Sequence, residues 1–166
     1  MSTLKIINGT IVTGGESFVG NVVLKDGVIS YVGTENPEVP ADAEVIDASG
    51  LFVSPGFIDA HSHNDWFAIK NQPQKYFEPF IRQGITSFVT GNCGLSAVGF
   101  EADSQYADKV GGGLFSYTDT TGVYPRVSDF FDAVDRNSPC NIAVLAGHCT
   151  ARASVAGYEN RPLTDA

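Results

Sequence analysis

The residues of this chain best suited to chemistry are two histidines one position apart, His61 and His63, at the end of an apolar run over 51–60. Alternate side chains of a strand point to the same side. A His-x-His at a strand's end therefore aims both imidazoles at one point, and neutral imidazole is a ready ligand for zinc. The same spacing also fits two polar residues where a strand leaves the core. The buried approach through Pro55-Gly56-Phe57-Ile58-Asp59 favours the metal reading. Two further groups occupy equivalent places. Cys93, in Gly91-Asn92-Cys93-Gly94, follows the β-branched and aromatic run over 85–90, and His148 follows the apolar run over 141–146. A thiolate between glycines can bind zinc; a cysteine there can equally be a small packed residue in a tight turn. His148 could ligate metal, orient a substrate or fix a loop, and a pocket role is preferred. Asp65 is read either as a partner of the histidines or as a helix cap or loop residue. Arg152 could meet a carboxylate but is more simply a structural ion pair, Asp59 a backbone acceptor, and Trp66 a packing residue.

These groups need elements to position them. The first fifty residues read as a meander of short strands, with Asn8-Gly9 and Asp26-Gly27 as turn dipeptides, resembling a small sandwich or half of one. After Gly50 the character changes. The run over 51–60 reads as one strand buried on both faces. Residues 74–83 place Tyr76, Phe77, Phe80 and Ile81 at helical spacing, with Pro79 as a warning of a kink and Gly84 as a stop. Residues 96–126, with Gly111-Gly112-Gly113, read as a long excursion, 127–135 as a helix capped near Ser128 or Asp129, and 141–146 as a third buried strand. Strand, helix, strand, excursion, helix, strand is the grammar of parallel β/α units. In such folds ligands collect at the carboxyl ends of strands, where His61, His63, Cys93 and His148 fall. The expected organisation is a β-sandwich portion over 1–50 and the first β/α units of a barrel over 51–166. Three strands do not close a barrel, and Leu163-Thr164-Asp165 reads as the opening of a further helix, so the chain is expected to be the front of something larger.

At 166 residues with a formal charge of −9, the chain has the length of one domain and lacks the basic face that nucleic acid requires. Its start does not read as a signal peptide, and no apolar stretch has the length of a membrane span. Three widely spaced cysteines do not form a disulfide framework, and a reducing, cytoplasmic compartment fits them.

The opening Val45-Ile46-Asp47-Ala48, followed by Pro55-Gly56-Phe57-Ile58-Asp59-Ala60-His61-Ser62-His63, resembles the amidohydrolase superfamily. The stretch over 83–96 around Cys93, the run ending in Gly147-His148, and Arg161-Pro162-Leu163-Thr164 are similar to its N-acyl-D-amino-acid deacylase (D-aminoacylase) group. The resemblance implies a (β/α)8 barrel preceded by a small β-sandwich. It also implies zinc-dependent hydrolysis of the amide of an N-acyl-D-amino acid, a small-molecule substrate, with His61, His63 and Cys93 as metal ligands. Two further histidines and a general-base aspartate belong to later strands of the family, which the 166 residues do not reach, so this chain is expected to be inactive alone. Other readings are a cyclic-amide hydrolase of the dihydroorotase or hydantoinase type, a metal-free scaffold of the same fold, or a small doubly wound module.

Overall fold

The computed structural model describes residues 2–101, 103–106, 124–135 and 137–164. The triple glycine of the excursion and the end of the expected final helix lie outside these residues. The fold is mixed α/β and divides into two compact units, one through Pro55 and one from Gly56.

The first unit is a five-stranded sheet built around β1 (Thr3–Val12), with β2 (Ser17–Lys25), β3 (Val28–Gly33), β4 (Glu44–Asp47) and β5 (Phe52–Val53). Asp26-Gly27 closes the β2–β3 hairpin with both residues at positive φ, 49° and 80°, the geometry of a two-residue turn that matches strand twist. Asn8-Gly9, expected as a turn, is instead a bulge within β1. Asn8 sits at φ 61° and the β1–β2 register shifts between Ile6 and Gly9. Turns and bulges use the same left-handed residues, so the dipeptide cannot distinguish them. Asn21 Oδ1 accepts the Asn8 N–H at 3.1 Å, so the displaced donor keeps a partner. The bulge also changes the neighbour: Leu4–Ile7 pair in parallel with β4, and Thr10 and Ile11 in parallel with β5. The expected meander is thus only β1 to β3.

The second unit carries a parallel sheet in the order β6 (Phe57–Asp59), β7 (Ile85–Thr90), β8 (Asn141–Val144). Between the strands lie α1 (Asp65–Ala68), α2 (Gln74–Ile81) and α3 (Val127–Val134), and α4 (His148–Ala156) follows β8. The expected single strand over 51–60 is two short strands in different sheets. Ser54-Pro55-Gly56 separates them, and Pro55 has no N–H to give to a ladder. Nor is it buried: Phe52, Phe57 and Ile58 are 78, 58 and 67% exposed. Pro79 does not break α2, whose last residues are stopped by Gly84 at φ 82°. The α3 cap is Arg126, which forks onto Asp129 at 2.8 Å, rather than Ser128 or Asp129.

The core of this unit lies between the sheet and its helices. Phe88 of β7 meets Phe77 and Phe80 of α2 edge to face, each at 5.4 Å between centroids, an arrangement that adds about 0.5–1.5 kcal/mol beyond area burial. Trp66, Ile69, Phe100 and Phe130 complete it. Among the described residues no helix is long and apolar enough to cross a membrane.

Candidate metal centre

The carboxyl end of β6 delivers the two histidines through a short, internally bonded loop. The half-buried Asp59 accepts the His61 N–H on Oδ1 at 3.1 Å, which turns the chain out of the strand. Ser62, between the histidines, is buried. Its N–H donates to the Val89 carbonyl at 3.0 Å, across to β7.

Cys93 arrives from β7 on a single 3₁₀ turn, Asn92–Gly94. Gly91, Cys93 and Gly94 all have positive φ, at 77°, 57° and 75°. Asn92 ties this turn to the histidine loop: its Nδ2 donates to the Val89 carbonyl at 2.9 Å and to the Ser62 carbonyl at 3.4 Å. The result places Cys93 Sγ 3.4 Å from His61 Nε2. One donor atom from each of His61, His63 and Cys93 lies within 4.8 Å of the others. The rings of His61 and His63 stand 6.1 Å apart at 68°.

Two imidazoles and a thiol at this spacing match in type what a tetrahedral zinc site takes, nitrogen and sulfur donors with a position left open. His61 and Cys93 are exposed and His63 half-buried, so the donors are reachable. His148 is not a member of this donor group among the described residues. It is the exposed first residue of α4, at the end of β8.

Asp65 is neither solvated nor a loop residue. It opens α1, is 0% exposed, and its Oδ2 accepts the Ala97 N–H at 2.7 Å. Burial pushes its carboxyl up to about 6, against the opposing pull of that hydrogen bond and of His63. Arg152 makes no ion pair among the described residues; it donates to the carbonyls of Glu159 and Arg161 at 3.2 and 2.6 Å and so holds the segment after α4. Trp66 is buried in the core, and all three cysteines are free thiols.

Sequence reasoning missed Ser62, Asn92, Ser96 and Thr150. Ser62 lies in the loop past β6, and its burial goes with its bond to the Val89 carbonyl rather than with a strand's alternation. The other three act through contacts that no local pattern announces.

Residues 44–162 match the model of the amidohydrolase family. A D-aminoacylase of Alcaligenes xylosoxydans xylosoxydans is 37% identical over 124 residues, covering 72% of this chain and 24% of that protein. Among solved structures, a D-aminoacylase described with a binuclear metal centre superposes with a TM-score of 0.78 at 30% identity, over 98% of this chain and 33% of that one. The N-acyl-D-glutamate deacylase of Bordetella bronchiseptica, complexed with zinc and a phosphonate mimic of the tetrahedral intermediate, superposes at 0.69 and 32% identity, over 91% of this chain and 30% of that one. The chain spans about a quarter to a third of the length of these relatives. It is similar to D-aminoacylases and N-acyl-D-amino-acid deacylases, and it belongs to the amidohydrolase family.

Proposed function

We propose that this chain is the amino-terminal, metal-binding part of a zinc-dependent hydrolase that cleaves the amide C–N bond of N-acyl-D-amino acids. The observation that carries this reading is the convergence of His61, His63 and Cys93 within 4.8 Å at the ends of adjacent parallel strands. Similarity to the D-aminoacylases supports the substrate class. The complete protein is then a (β/α)8 barrel preceded by a β-sandwich, with residues 1–50 in the sandwich and 51–166 opening the barrel. The sequential parallel order β6-β7-β8, with helices between strands, supports that architecture.

His61, His63 and Cys93 would hold the ion. When bound, zinc supplies Lewis acidity toward a carbonyl and a nucleophilic water near neutral pH. The chain's own residues set the conditions for this. Asp59 and Ser62 fix the backbone that presents the imidazoles. Cys93 would supply the sulfur donor beside the two imidazoles and would moderate the ion's acidity. His148, exposed at the end of the third strand, orients the substrate. The chain spans about a quarter to a third of its relatives' length, and the general base and the remaining donors of the proposed hydrolase are assigned to the rest of the complete protein. The partner is a small molecule rather than nucleic acid or membrane, and the compartment is cytoplasmic.

The test assays the complete reading frame against N-acyl-D-amino acids, their L-enantiomers, hydantoins and dihydroorotate, with zinc content measured in parallel. Preference for the D-enantiomers with stoichiometric zinc is expected. Turnover of the cyclic amides in their place would move the protein to another amidohydrolase chemistry, and a protein without zinc or turnover would be a scaffold.

A further inference from the structure

Cys93 is the one member of the donor group whose own backbone resists its position. A side chain in the left-handed region is disfavoured by about 1–2 kcal/mol, and Cys93 sits there at φ 57° between two glycines also at positive φ. Such a turn persists only where surrounding contacts over-determine it. Those contacts come from the far strand's end. A Cβ on Gly91 would run into the carbonyl oxygen of Leu145, and one on Gly94 would lie 3.1 Å from the backbone nitrogen of Cys149. The turn is therefore pressed against the segment joining β8 to α4.

Just after the turn a buried hydrogen-bonded brace closes the same junction. The Ser96 N–H donates to Thr150 Oγ1 at 2.9 Å, and the Thr150 hydroxyl donates back to the Ser96 carbonyl at 3.0 Å. Ser96 Oγ accepts the Gly147 N–H at 3.1 Å and donates to the Val98 carbonyl at 2.7 Å. From the histidine side, Asp65 takes the next N–H, that of Ala97. Ser96, Thr150 and Asp65 are each 0% exposed. A side chain at Gly147 would fall 2.6 Å from the Gly94 carbonyl and 2.7 Å from Ser96, so only glycine admits the approach. The ends of all three parallel strands thus meet in one buried polar junction beneath the donor group.

We infer that Thr150 and Ser96 are positioning residues for the Cys93 thiolate: they hold the strained turn in the register that aims its sulfur at His61. The inference rests on the metal reading given above. Neither residue is a ligand. Their effect passes through the backbone between Ser96 and Cys93, so removing the brace should displace the sulfur while leaving both imidazoles in place.

Cobalt(II) tests this directly, because a sulfur-to-cobalt charge-transfer band in the near ultraviolet reports the thiolate separately from the imidazoles. In protein expressed from the complete reading frame and stripped of metal, Thr150→Val keeps the side-chain shape and removes both hydrogen bonds. It should bind cobalt about tenfold more weakly, the lower end of outer-shell effects, with the charge-transfer band reduced or lost. Thr150→Ser should restore both. A core variant in the first unit, outside the unit that holds the junction, Val23→Ala, should lower stability and leave the band intact. If Thr150→Val does not fold, Ser96→Ala, which removes only the links to Gly147 and Val98, is read in the same way. A folded brace variant with wild-type affinity and band overturns the inference. Absence of the band in the wild-type protein overturns the metal reading itself, and the inference with it.

Discussion

Cys93 combines a strained backbone with a soft ligand atom, and the two can be separated by substitution. Cys93→Ala keeps the strain and removes the sulfur. In the complete protein it should cut zinc content and turnover sharply; normal stoichiometry and rate would take Cys93 out of the site. Cys93→Gly removes both. Glycine adopts φ near +57° freely but loses more entropy on folding, roughly 0.5–1 kcal/mol, against about 1–2 kcal/mol of strain relieved. The metal-free glycine variant should therefore be as stable as wild type or more stable by up to about 1.5 kcal/mol, measured by urea denaturation. A clear loss of metal-free stability would mean that the thiol stabilises the fold without metal. Strain kept where glycine would be easier is reason to look for function in the side chain.

At the scale of the element, two glycines with almost the same φ distinguish a turn from a junction. Gly27, at φ 80° in the β2–β3 hairpin, has open space where a Cβ would go, whereas one on Gly91, at φ 77°, would meet the Leu145 carbonyl. Gly27→Ala should cost only the left-handed strain, about 1–2 kcal/mol. Gly91→Ala adds overpacking and should cost roughly 2–5 kcal/mol, pushing Leu145 off the bond its N–H makes to the Thr90 carbonyl at 2.9 Å. Equal midpoint shifts in denaturant would mean the β7–β8 junction is looser than the distances imply. The contrast also marks what the sequence could convey. α2 was legible because Phe77 and Phe80 recur at a spacing set by the helix itself, and the convergence of His61 and His63 was expected from a strand's period of two although both lie in the loop past the end of β6. α4 was not: His148–Ala156 buries Thr150, Ala153, Ser154 and Ala156, small residues with little apolar contrast to mark a face. The bulge at Asn8 was read as a turn because both need the same backbone angle. The Ser96–Thr150 brace joins residues 54 positions apart, and nothing local to either residue foretells the other. The amidohydrolase resemblance was legible because its motifs are short and continuous.

Across the whole molecule, two forces set how copies of this chain meet. The parallel sheet of the second unit ends, among the described residues, in β6 and β8, each paired along one edge only. Phe57 and Ile58 on β6 and Leu145 after β8 are 58, 67 and 49% exposed. Open edges and contiguous apolar surface favour association. The formal charge of −9 opposes it, but charge repulsion is screened over about 8 Å at physiological salt and about 3 Å at 1 M, while apolar contact is not weakened by salt. The 166-residue chain, studied by sedimentation velocity, should therefore be most nearly monomeric at low ionic strength and associate progressively as sodium chloride rises toward about 1 M. Ile58→Lys sets a charge on the edge strand, the device by which natural sheets blunt their edges. It should shift the onset of association to higher protein concentration even though it lowers the net negative charge by one. That opposition of signs makes the experiment decisive. If repulsion alone governed the oligomeric state, the lysine would promote association; if the open edge of β6 governs it, the lysine suppresses it. A chain that stays monomeric at every salt concentration would require Phe57 and Ile58 to be covered in solution by something other than a second copy.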